Sequence, residues 1–334
     1  MFVLNKIQRL FFRNVKQSFL FTALFVVLHS YAQKFEKIDE IALSYSSGIS
    51  DAKVLATHIS DDFKDQSDQV RALFIWLTHH IDYNINELNY GATNYSFRYS
   101  SKEELEQKIR ARDLEIISKT MQEKRAICEG YSMVFKEVCD ILNIRCEIIS
   151  GYSRSPFSQI GKLPLSGKHA WNAVYINNQW KLIDTTWGAG YSRDSEHWVK
   201  DFDAHYFFTA PKDLLTTHYP EEKKWQLTQP SLNEKEFTSQ PIYSSLFFDN
   251  NLKLLAPISG IIHPKNKAFI LIEIDNLPPA SEMGFAFEND YYLTSIIPEF
   301  EGSKAILKIP VAGKKNTTLN VLLETEMILQ FRID

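Results

Sequence analysis

Lys124-Arg-Ala-Ile-Cys128-Glu-Gly-Tyr-Ser-Met-Val-Phe135 places a thiol where a helix begins. Downstream, Tyr131, Val134, Phe135, Val138 and Leu142 recur at the i, i+3, i+4, i+7, i+11 spacing of an amphipathic helix. Asn143 follows, a residue that tolerates the left-handed conformation at a helix end. Cys128 lies one helical step before Tyr131 and so falls on the inward side of the first turn. Unpaired N–H groups and a partial positive charge at that end favour a thiolate, which is the nucleophilic form. Gly130 lets another segment or a substrate approach the turn closely. A lone cysteine is more often a buried structural residue, so catalysis requires further groups.

Two other stretches supply them: Lys168-His169-Ala-Trp-Asn-Ala-Val-Tyr175 and Trp180-Lys-Leu-Ile-Asp184-Thr-Thr-Trp187. Both are rich in aromatic and β-branched residues and flank Asn177-Asn178, which predicts a β-hairpin with a two-residue turn. Ile176 then faces Gln179, Trp171 faces Asp184, and His169 faces Thr186. That register makes His169 and Asp184 diagonal neighbours on one face, with backbones roughly 7–8 Å apart. A one-residue change in loop length would put them on opposite faces. An imidazole so placed can take and return a thiol proton, and the carboxylate can fix its tautomer. The expected catalytic residues are therefore Cys128, His169 and Asp184. Trp171, Trp187 and Gly188 are expected substrate contacts, although core packing is the commoner role for tryptophans such as Trp171, Trp180, Trp187 and Trp198. His79, His80, His197, His205 and His218 show no metal-binding spacing, so no metal is expected. No cofactor is expected either, since thiol, imidazole and carboxylate suffice for acyl transfer.

At these residues the chain resembles the transglutaminase-like cysteine hydrolase superfamily, and within it the kyphoscoliosis-peptidase-type proteins. The resemblance rests on Cys128-Glu-Gly-Tyr and on His169-Ala-Trp-Asn followed by Trp180-Lys-Leu-Ile-Asp184-Thr-Thr-Trp187-Gly. Tyr206-Phe-Phe-Thr-Ala-Pro211, His218-Tyr-Pro220 and Trp225-Gln-Leu227 look like the segment closing that family's core, and Arg71 to Tyr83 like the one opening it. It implies an α+β, papain-like core over residues 65–230, with a Cys-bearing helix packed on an antiparallel sheet that carries His and then Asp. It also implies Cys128 as nucleophile, its own N–H as first oxyanion donor, His169 as base and acid, and Asp184 as orienter. The second oxyanion donor does not transfer. Peptidases, amine-transferring cross-linkers and non-catalytic members all belong to the family. Hydrolysis of a peptide or side-chain amide is the expected reaction, with amine transfer or a non-catalytic scaffold as alternatives.

Lys6, Arg9, Arg13 and Lys16 precede an apolar run from Phe19 to Leu28 and then Ser30-Tyr-Ala32-Gln33. The run is short of the ~20 residues that span a membrane, so residues 1–32 are expected to be a cleaved signal peptide, with an uncleaved anchor as the alternative. The mature chain would then be secreted or periplasmic, without stable membrane insertion. Its cysteines are Cys128, Cys139 and Cys146. An odd number in an exported protein points to a free thiol; Cys139 and Cys146 either pair or stay buried and free, the second being preferred. A net charge of −4 without a basic block argues against nucleic acid as partner. A protein or peptide substrate is expected.

Residues 33–64 read as a helical lead-in, Lys102–Ile109 and Asp113–Met121 as separate helices, and Ser153 to Lys168 as a loop overhanging the site. Ser101 and Glu104 form a capping-box signature. Residues 237–334 contain many short strand-like runs, beginning with Ile242–Phe248, and predict a β-sandwich. With no Cys and a single His, His263, that region is expected to bind a protein or cell-envelope ligand. Asn94-Tyr-Ser96 and Asn316-Thr-Thr318 are glycosylation sequons.

Overall fold

The structure, a computed structural model, describes residues 35–91, 96–155, 160–163, 165, 167–194, 196–265 and 267–334. The expected signal peptide at residues 1–32 lies outside them, as do Asn94 and part of the loop between Ser153 and Lys168.

Helix α1 (Ala52–Asp62) starts at Asp51, whose carboxylate accepts from Lys53 N at 2.6 Å. Helix α2 (Gln66–His80) starts at Asp65, which accepts from Ser67 N at 2.9 Å. Val70, Leu73, Phe74 and Leu77 of α2 are fully buried. Beyond α2 a two-residue strand, Asp82–Tyr83, pairs in parallel with Arg125–Ala126, immediately upstream of Cys128. The segment from 102 to 123 is one continuous helix, α3 (Lys102–Glu123), and not the two helices the sequence led us to expect. Arg110, Ala111 and Arg112 between them are good helix formers and offer no break. Ser101 caps α3 by accepting from Glu104 N at 3.2 Å, while Glu104 turns back to Ser100 N at 2.7 Å.

Helix α4 (Cys128–Ile141) buries Tyr131, Val134, Phe135, Val138 and Cys139. Burying such an apolar side chain contributes roughly 1.5–3 kcal/mol, so this face dictates the helix's position. The Tyr131 hydroxyl donates to Ile81 O at 2.5 Å, tying α4 to the end of α2. Asn143 closes the helix with φ of 57°.

Five strands form the sheet under α4: β1 (Cys146–Ser153), β2 (Lys168–Ile176), β3 (Gln179–Ile183), β4 (Phe207–Thr209) and β5 (His218–Pro220). Their spatial order is β4-β3-β2-β1-β5, antiparallel throughout. Asn177 and Asn178 both have positive φ, 52° and 60°, as a twisted two-residue hairpin turn requires. Ile176 pairs with Gln179 and Asn172 with Ile183. The ladder stops there, so Trp171 does not pair with Asp184 nor His169 with Thr186. The chain enters helix α5 (Thr185–Ala189) instead. Thr185 and Thr186 favour a strand, but Asp184 is a strong N-cap and its carboxylate binds the first amides of the helix.

The C-terminal region is a β-sandwich with its own core. One sheet contains Ile242–Tyr243, Glu326–Ile333, Thr317–Leu323, Met283–Phe287 and Thr294–Ile296, in that order, with Ile261–Ile262 added in parallel. The other is antiparallel and runs Lys253–Ala256, Phe269–Asp275, Lys304–Pro310, Glu299–Glu301. Ile272, Ile274, Leu307 and Ile309 of the second sheet meet Leu319, Val321, Leu329 and Phe331 of the first. The expected strand Ile242–Phe248 is shorter: it ends at Tyr243, and Ser245–Asp249 is a helical turn that drives Phe247 into this core. Among the described residues, no helix is long and apolar enough to cross a membrane.

Gly151 on β1 faces His169 on one side and Pro220 on the other. A Cβ there would lie 2.4 Å from Tyr219 O and 2.5 Å from Trp171 Cη2. Gly151→Ala is expected to cost about 1–3 kcal/mol by overpacking. Chemical denaturation checks this, and an unchanged midpoint would contradict the close approach.

Candidate active site

Asp184 follows the last residue of β3 and is 1% exposed. Its Oδ1 accepts from Thr186 N at 2.8 Å and Trp187 N at 3.0 Å, which starts α5. Its Oδ2 lies 2.6 Å from His169 Nε2 and 2.9 Å from His218 Nε2. Burial alone would raise the carboxyl's pKa, but the His169 charge and hydrogen bonds from both rings hold it below the usual carboxylate range. An ionised carboxylate only accepts, so both ring nitrogens donate to it.

His169 emerges from β2 opposite Gly151. Burial opposes its charged form, yet the Asp184 charge, the Asp184 hydrogen bond and the Cys128 side chain outweigh burial and push the imidazole up to about 10. With Nε2 engaged by Asp184, Nδ1 is the ring nitrogen left for proton exchange with a thiol. The Trp171 ring stacks at a centroid distance of 5.9 Å, and Trp187 lies tilted at 6.2 Å.

Cys128 is the first residue of α4, half-buried and not in a disulfide. Ile127 at the cap position offers no side-chain hydrogen bond, so the first-turn amides face the thiol's end of the helix uncapped. Cys139 and Cys146 are free and buried. Tyr83 belongs to the same neighbourhood: burial raises its hydroxyl's pKa, and the charges of Cys128 and Asp184 add to this.

The six residues singled out in the sequence thus have different places. His169 and Asp184 are directly bonded, and the Cys128 side chain contributes to raising the His169 pKa. Trp187 is half-buried beside the imidazole. Trp171 and Gly188, the other two expected substrate contacts, are both buried. Trp171 is 1% exposed and walls His169 from within. Gly188 is buried, and a Cβ on it would meet Phe74 Cζ at 2.5 Å, so it serves the packing of α5 on α2. His218 is a site residue that sequence reasoning misses, although it opens the His218-Tyr-Pro220 motif. Its role depends on β5 pairing with β1, a long-range contact that spacing does not reveal.

His169, Asp184 and His218 bring three metal-capable atoms within 4.8 Å of one another. Ligands about 2.0–2.1 Å from a tetrahedral zinc ion sit roughly 3.3–3.4 Å apart. The 2.6 and 2.9 Å separations are those of shared protons.

A charged His169 stabilises the fold fully below its ordinary value of 6.5, and this is lost as pH rises through about 10. Asp184, held low, contributes above its ordinary 3.8 and loses that contribution as pH falls. Asp184→Asn is therefore expected to cost most stability between pH of about 4 and 6.5. An NMR titration of the variant should find His169 fallen from about 10 toward or below 6.5. An imidazole still near 10 would contradict the pairing.

Residues 53–185 match the family model described as the Transglutaminase-like superfamily. The chain is 28% identical over 245 residues to kyphoscoliosis peptidase of Mus musculus, covering 72% of this chain and 34% of that protein. It is 32% identical over 133 residues to Hillarin of Drosophila melanogaster, covering 36% and 16%. It is 28% identical over 142 residues to cytokinesis protein 3 of Schizosaccharomyces pombe, covering 42% and 16%. The chain thus spans between 16% and 34% of the length of these relatives. Residues 53–185, which include Cys128, His169 and Asp184, thus form a region similar to the transglutaminase-like superfamily.

Proposed function

We propose that residues 65–230 form an exported cysteine hydrolase that cleaves peptide or side-chain amides through a thioester on Cys128. The observation carrying this is the 2.6 Å bond from His169 Nε2 to the buried Asp184, which reserves Nδ1 for the thiol. The Cys128 Sγ–H proton passes to His169 Nδ1, and the sulfur attacks the amide carbonyl carbon. The oxyanion accepts from the Cys128 N–H at the start of α4. The imidazolium returns its proton to the leaving amine, and the carbon–nitrogen bond breaks to give the thioester. His169 then deprotonates a water that attacks the thioester, releasing the acid and restoring the thiol. Asp184 keeps the ring oriented and offsets its charge at each step.

Hydrolysis is preferred to amine transfer because the relative with the longest of the three matches is named a peptidase. Export rests on the basic, apolar and small-residue order within residues 1–32. Residues 237–334 are assigned a ligand-binding or scaffolding role. A second reading, a binding module that has kept the fold without turnover, is favoured by a relative named for cytokinesis and not for a reaction.

Thiol reactivity separates the two. Cys128 is expected to alkylate with iodoacetamide well below the ordinary thiol pKa of ~8.5, and faster than the buried Cys139 and Cys146. His169→Ala should remove that advantage. An inert Cys128, or a His169→Ala protein that alkylates identically, overturns the enzyme reading. Cleavage products present with wild type and absent with Cys128→Ala would then define the acyl donor, and labelled-amine incorporation would reveal a transferase.

A further inference from the structure

We propose that His218 is a positioning residue that holds the Asp184 carboxylate in place for His169; this rests on the hydrolase reading above. His218 lies on β5 opposite Ser153, while His169 lies on β2 opposite Gly151. Ser153 and Gly151 are two apart on β1, so both imidazoles leave the sheet on the same face. Their rings come to 5.3 Å between centroids.

Proton bookkeeping fixes the state of His218. Oδ2 of Asp184 cannot donate, so His218 Nε2 carries a proton and gives it a hydrogen bond of 2.9 Å. On the far side Nδ1 faces the Thr217 hydroxyl at 2.8 Å. The hydroxyl's one proton has two acceptors in reach, Leu214 O at 3.3 Å and Nδ1 at 2.8 Å, and a neutral ring with its proton on Nε2 takes it over the shorter distance. Burial disfavours the charged ring, which agrees with this neutral tautomer. His218 therefore supplies a donor without a second positive charge that would compete with the imidazolium of His169.

Two amides anchor Oδ1 and His218 anchors Oδ2, leaving one direction on Oδ2 for His169. The terminal torsion of an aspartate is soft, so an anchor on each oxygen sets the angle at which the carboxylate meets His169. Trp171 and Trp187 pack edge-on against the His218 ring at 5.1 and 4.7 Å and exclude water from this junction. His218 bonds to Asp184 and Thr217 and takes no part in proton transfer, which makes it a positioning residue.

The test follows the iodoacetamide rate of Cys128 against pH in wild type, His218→Phe and His218→Gln, with continued protection of Cys139 and Cys146 reporting an intact core. The phenyl ring fills the space without a donor. The glutamine amide restores an N–H near the position of Nε2. His218→Phe should slow alkylation at neutral pH about tenfold and move the pH profile toward that of an ordinary thiol. His218→Gln should recover to within about threefold of wild type. A His218→Phe profile identical to wild type overturns the assignment, and so does a glutamine variant as slow as the phenylalanine one. If His218→Phe does not fold, the ¹⁵N shifts of the wild-type ring decide: a proton on Nε2 alone supports the proposal, and one on Nδ1 overturns it. A wild-type Cys128 no more reactive than a free thiol overturns the hydrolase reading and this proposal together. A reactive wild type with an unaffected His218→Phe variant removes only this proposal.

Discussion

A carboxylate with no access to solvent must be paired on every side, and Asp184 meets that demand with four donors. Leaving a buried charge short of a partner costs several kcal/mol. This requirement couples elements far apart in sequence. It ends strand β3, starts helix α5, and draws in one histidine from β2 and another from β5. The pairing also tunes the chemistry. The charge that keeps Asp184 ionised is the one that raises His169, and a ring raised in this way stabilises an ion pair with a thiolate.

The surroundings hold these strands in register. Gly151 is small enough for β2 and β5 to approach β1 with Trp171 between them. One step beyond β1, the buried Arg154 donates to the carbonyls of Thr216, Thr238, Gln240 and Pro241 at 2.8 to 3.2 Å. Its guanidinium lies 4.6 Å above the Phe237 ring, and burial lowers its pKa to about 10. Arg154 therefore clamps the chain just before His218 to the segment leading into the C-terminal sandwich. Through this clamp the sandwich supports the strand that carries His218, although its own core is separate.

Much of this frame was legible in the sequence where local pattern and tertiary demand agree. The apolar stripe from Tyr131 to Val138 sets the phase of α4, and Asn177-Asn178 specify a turn with two positive φ values. It was not legible where a local preference was overruled. Thr185 and Thr186 look like strand residues, but Asp184 caps a helix. His169 and Asp184 do meet, by the carboxylate reaching back from a helix start and not across a ladder. The polar surface of α3 hid its continuity, because an exposed helix needs no apolar period. His218 could not be recognised from spacing, since its neighbours come from β1 and α5, and the burial of Trp171 and Gly188 depends on contacts that their local sequence does not show.

The central claim is that Asp184 and His169 make Cys128 a working acyl acceptor. An activated acyl donor, the p-nitrophenyl ester of an N-acylated amino acid, tests it without knowledge of the natural substrate. Intact-protein mass spectrometry after an acid quench should show one acyl group on wild type, mapped to Cys128 and lost with time as the thioester hydrolyses. It should be absent from Cys128→Ala and strongly reduced in His169→Ala and Asp184→Ala. An adduct spread over Cys139 and Cys146, or one that forms equally without His169, would contradict the account.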